Sequence, residues 1–63
     1  MPKTDVTVKL LGESGNCFYI LGKVIKALKN AGYDNLAKQY EMEATSGDYD
    51  NLLRVTMKFV EVE

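Results

Sequence analysis

Histidine and tryptophan are absent from this chain, and cysteine, proline and arginine occur once each. Without histidine it lacks the commonest metal ligand and the side chain best suited to proton transfer near neutral pH. The lone cysteine, Cys17, excludes an internal disulfide. No apolar run approaches the roughly 18 residues of a membrane span. No leader-like stretch precedes the first strand-like segment, and with a free thiol this points to the cytoplasm. Opposite charges are interspersed and sum to −1, so the chain as a whole has no basic footprint for nucleic acid. No catalytic constellation, cofactor fingerprint or metal-ligand spacing emerges from what is left. The expectation is a non-enzymatic protein.

What is present is a globular composition. Sixty-three residues, 46% of them apolar, read as a single domain, 1–63, with no linker, repeat or low-complexity stretch. A chain of this size buries only about 60% of its unfolded surface. Its core alone supplies roughly 3–5 kcal/mol, and small domains add a disulfide, a metal or a partner subunit. Composition nearly excludes the first two, which leaves a homo-oligomer as the expected support.

Residues 5–11 alternate with period two, placing Val6, Val8 and Leu10 on one side and Thr7 and Lys9 on the other. Gly12 ends this strand, Gly15 permits a tight turn, and Asn16 is a good N-cap for the helix that follows. From Cys17 to Ala31 the apolar arc holds Cys17, Phe18, Ile20, Leu21, Val24, Ile25, Ala27, Leu28 and Ala31. So wide an arc needs other helices as well as a small sheet. Gly22 sits at its border and suggests the close approach of another backbone, and Gly32 stops the helix. A second helix starts with Asp34 as N-cap and carries Tyr33, Leu36, Ala37, Tyr40 and Ala44 on one face, with Gly47 at its end. The segment 53–59 fits a strand as well as a helix. Capping by Asp48 favours a helix over about 48–58, followed by a strand Phe59–Val62. The expected fold is α+β in the order β-α-α-α-β. Three helices pack on a two-stranded antiparallel ribbon formed by the chain ends.

Four features could carry function. The turn Gly12, Ser14, Gly15 and Asn16 stands at a helix N-terminus, where backbone amides bind a small anionic ligand. It lacks a phosphate-loop lysine, and Glu13 repels anions, so a plain strand-to-helix turn explains it better. Tyr19, Lys23, Lys26 and Lys29 form a basic face that would meet a phosphate backbone or an acidic partner, or simply solvent. Asp48, Asp50 and Asn51 open like a calcium loop, but Leu52 stands where an oxygen ligand belongs, and capping accounts for them. Cys17 has no histidine to activate it and reads as a buried thiol.

Two resemblances bear on function. Gly12-Glu13-Ser14-Gly15-Asn16-Cys17-Phe18 running into Ile20–Val24, together with Thr45-Ser46-Gly47-Asp48-Tyr49-Asp50-Asn51-Leu52-Leu53, resembles a group of short uncharacterised proteins of bacteria, phages and other mobile elements. That likeness covers most of the chain. It implies an accessory protein more than a housekeeping enzyme and carries over no site residues; with no catalytic constellation in the chain, the expected ligand is a host protein or a small anion near the Gly12–Asn16 turn. Separately, Pro2 followed by strand, turn and long helix looks like the small tautomerase family, whose N-terminal proline acts as a base. Arg54 is the only arginine to serve that family's substrate clamp, and residues 34–46 read as helix where the family has a strand. A binding module therefore leads. The alternatives are a nucleic-acid accessory using the lysine face and, more remotely, a tautomerase.

Overall fold

The computed structural model describes residues 2–10 and 16–63. Its elements are β1 (Thr7–Val8), α1 (Cys17–Asn30), α2 (Asp34–Ala44), α3 (Tyr49–Phe59) and β2 (Glu61–Val62). Each helix begins and ends where local chemistry permits. Asn16 is extended, and its side-chain oxygen accepts the Phe18 and Tyr19 amides at 3.0 and 3.3 Å. At the other end Gly32, with φ +89°, reverses the chain. The Tyr33 N–H reaches the Leu28 carbonyl at 2.8 Å and the Gly32 N–H reaches Lys29 at 3.0 Å. These two bonds make a Schellman closure, which needs a residue free to adopt positive φ. The expected N-cap of α2 is displaced by one residue. Tyr33 occupies the cap without a side-chain bond, and Asp34 lies within the first turn, where its charge complements the helix dipole.

The two readings of residues 53–59 resolve to helix. Asp48 Oδ1 accepts the Asn51 amide at 3.0 Å, and Leu52, Val55, Thr56 and Phe59 are buried at the spacing of one helix face. It is rotated from the face holding Tyr49, Leu52, Leu53, Thr56, Met57 and Val60 that the helical reading of this segment predicts, since Tyr49 and Met57 are exposed. Phe59 is helical and not part of the last strand, which begins at Glu61.

The ribbon is parallel, with Thr7 opposite Glu61 and Val8 opposite Val62, contrary to the antiparallel expectation. Alternation in a strand carries no information about direction. Here the route through three helices brings the chain back alongside β1 in the same sense, as a crossover does. The Glu61 and Glu63 amides donate to the Val6 and Val8 carbonyls at 2.8 and 2.9 Å. The three helices do not all lie on this ribbon either. It touches α1 and α3, while α2 packs only against the other two helices among the described residues. No helix there is long and apolar enough to cross a membrane.

The core gathers Val8, Ile20, Val24, Leu28, Ala37, Tyr40, Ala44, Leu52, Val55, Phe59 and Val60. Two polar side chains are built into it. The Thr56 hydroxyl donates to the Leu52 carbonyl at 2.8 Å, so at its 2.8 Å contact with Tyr40 the tyrosine must be the donor. Thr4 donates to the Phe59 carbonyl at 2.7 Å and accepts the Val6 amide at 3.2 Å. The Lys3 and Thr4 amides add bonds to the Lys58 and Phe59 carbonyls. The first residues of the chain thus cap the C-terminus of α3.

The backbone contact expected at Gly22 is not found. A Cβ built there meets nothing within 4 Å, whereas one at Gly47 would lie 2.9 Å from the Asn51 Cβ. Asn51 cannot yield easily, because its side-chain amide donates to the Glu43 carbonyl at 2.9 Å.

Gly22→Ala should therefore raise unfolding stability by about 0.5–1 kcal/mol. Gly47→Ala should lower it by about 1–3 kcal/mol through overpacking. Urea titrations of both variants measure the opposite signs. A second expectation concerns alkaline pH. Burial raises the Tyr40 phenol above its ordinary 10.0. Below pH 10 the neutral phenol's contribution is complete. Stability then falls as pH rises through the raised native value, because the unfolded chain ionises first. Tyr40→Phe should cost about 1 kcal/mol at neutral pH and reduce this alkaline loss in denaturant melts.

Candidate functional site

At one end of the helix packing, α1 and α3 begin and α2 stops. Between them lies a hollow of about 330 Å³ lined by Cys17, Phe18 and Leu21 of α1, Ala44, Thr45 and Gly47 at the end of α2, and Asp48, Tyr49 and Leu52 at the start of α3. The polar groups around it are turned to internal use. Thr45 and Ser46 hydroxyls donate to the Glu41 and Glu43 carbonyls at 2.7 Å each, and Asp48 holds the Asn51 amide. What remains facing outward is mainly apolar. Phe18, expected on the buried arc, is instead 80% exposed at the rim of this hollow. Cys17, expected to be buried, is half-buried and lines the wall.

Of the anion-binding turn, Gly12, Ser14 and Gly15 lie outside the described residues. Asn16 is described, and its oxygen already occupies the Phe18 and Tyr19 amides, two of the donors an anion at this helix end would need. The cap and an anion compete for the same N–H groups.

The basic face stands on the side of α1 away from the core. Lys23, Lys26 and Lys29 are exposed and Tyr19 is half-buried. The Lys23 ammonium lies 3.1 Å from the Tyr19 hydroxyl and 5.4 Å from the centre of its ring. The described residues form two ion pairs, Lys9–Glu63 at 3.8 Å and Lys58–Glu43 at 3.4 Å, and neither involves this face. The Glu43 carboxyl is held below its ordinary range, first by the Gln39 amide, against the opposing effect of burial, with Lys58 and Lys3 adding to the lowering.

Pro2 is half-buried in a second groove, of about 440 Å³, beside the ribbon. Its companions are Thr7, Met57, Val60, Glu61, Val62 and Glu63. Among the described residues, two carboxylates and no cationic side chain line it, and Arg54 is not among the lining residues. Asp48, Asp50 and Asn51 do not form a metal loop: Asp48 caps α3 and Asn51 turns its amide to the Glu43 carbonyl.

The hollow itself was not legible in the sequence. Its walls come from three helices, and the helical wheel of α1 placed Phe18 on the same arc as Ile20 and Val24. No family model matches the chain, and no curated protein or solved structure shows significant similarity to it.

Asn16→Ala should cost about 1 kcal/mol in stability, because it removes the side-chain cap of α1. Inorganic phosphate at millimolar concentration should leave the Phe18 and Tyr19 amide resonances of the wild type in place. An amide-resolved NMR titration of both proteins checks this.

Proposed function

We propose that this is a small non-enzymatic binding module, an accessory protein of bacterial, phage or mobile-element type, that holds another protein chain through Phe18 and the adjoining hollow. One observation carries the reading: a phenylalanine left 80% exposed at the mouth of a hollow walled by Leu21, Ala44 and Leu52. Covering such a ring and the surface beneath it is worth about 1.5–3 kcal/mol, enough for the anchor of an interface. The likeness to short proteins of phages and mobile elements supports an accessory role over a metabolic one. A small anion near Asn16 is the weaker version, because the cap already uses two of the amides it would need.

Titration with the N-acetyl amides of leucine and phenylalanine tests the proposal by NMR. Expected are resonance shifts at Cys17, Leu21, Ala44 and Leu52 that disappear in Phe18→Ser. Shifts produced by phosphate at residues 12–18, and none by the apolar amides, would replace it with the anion reading. Light scattering of the same two proteins reads the oligomer. A mass that rises with concentration only in the wild type makes a second copy the occupant.

A further inference from the structure

The outward side of α1 has a composition found nowhere else in the molecule. Stepping about 100° per residue from Phe18, Leu21 and Ile25 fall to one side of it, Gly22 and Lys29 just to the other, and Lys26 and Lys23 beyond. The face therefore has an apolar edge of Leu21, Phe18 and Ile25 and a basic edge of Lys26 and Lys23, with Gly22 between them. Glycine inside a helix is unfavourable, and among the described residues nothing approaches within 4 Å of a Cβ placed at this one. An open glycine between two edges lets a second helix come close. All three charges of α1 are positive, with no carboxylate on the helix, leaving five lysines and arginines against nine carboxylates in the remainder of the chain. Among the described residues no carboxylate pairs with Lys26 or Lys29.

We propose that this face of α1 docks an acidic amphipathic helix of another protein, its apolar stripe on Phe18, Leu21 and Ile25 and its carboxylates toward Lys23, Lys26 and Lys29, with the two backbones nearest at Gly22. The inference rests on the reading of the chain as a protein-binding module and names the chemistry of its partner. Charge separates this occupant from the others. A second copy presenting the same helix would oppose lysines to lysines. A nucleic acid or an anionic membrane extends well beyond one helix, and would meet a chain of net charge −1 with three lysines on this face to hold it.

The test is a yeast-displayed library of helical peptides with a fixed leucine stripe and flanking positions drawn from glutamate, glutamine and lysine, selected on the purified wild-type protein. Glutamate should be enriched over lysine at the flanks by about tenfold, as a few exposed charge pairs provide. Selected peptides should bind Gly22→Leu and the Lys26→Glu/Lys29→Glu double variant about tenfold more weakly. Circular dichroism melts should show both variants folded, since Gly22 is open and both lysines are exposed. Flanks with no charge preference, or with lysine preferred, overturn the acidic partner while Phe18-dependent binding keeps the module reading. Recovery of no Phe18-dependent peptide overturns both. Tighter binding of a short DNA duplex, or of phosphatidylserine-containing vesicles, at physiological salt overturns the inference in favour of a polyanion.

Discussion

Phe59 is the residue on which the rest of the structure depends. Its ring is fully buried, edge-on to Tyr40 at 5.5 Å and 71°, with the Lys3 ammonium 4.9 Å from its centre. Its carbonyl, one of those a helix end leaves without a partner, accepts both the hydroxyl and the amide of Thr4. One residue thus locks α3 to α2 through the ring and the start of the chain to its end through the backbone. The parallel ribbon follows from this. With residues 3 and 4 bonded to 58 and 59, the two chain ends continue side by side in the same sense.

Tyr40 extends the same lock in the other direction. Its hydroxyl is buried and can remain so only because Thr56 accepts its hydrogen while passing its own to Leu52. No buried side-chain polar atom among the described residues lacks a partner. The interior of so small a domain is thereby closed to further polar chemistry. The proposed binding therefore falls at the surface, on α1 and at the end of the helix packing, where apolar groups are left outside.

The helices were legible because independent local signals agreed at each boundary: Asn16 and Gly32 around the first, Asp48 before the third. Agreement between a cap and a 3.6-residue period is hard to produce by chance, and it outweighed the period-two pattern of 53–59. Where the local signal was single, the reading slipped. Asp34 was placed one residue early, and Phe59 was assigned to the strand although its carbonyl and ring belong to the helix end. Phe18 shows a different shortfall. A helical wheel gives the direction of a side chain but not how far the neighbouring elements extend, and α2 and α3 cover Ile20, Val24 and Leu28 without reaching Phe18. Thr4 was invisible for the same kind of reason. Its role depends on an unpaired carbonyl 55 residues away.

By itself the sequence determined the class of fold, the order of the elements, most of the caps and most of the core stripe of the first two helices. These depend on interactions within about four residues, which composition and spacing report directly. Tertiary structure alone decided the direction of the ribbon, the isolation of α2 from it, the exposure of Phe18 and the open space above Gly22. Each of those is a relation between segments far apart in the chain, settled by how three helices divide a limited buried surface. The proposed docking face belongs to this second group: Phe18 and Gly22 read as interior positions until the packing left both of them outside.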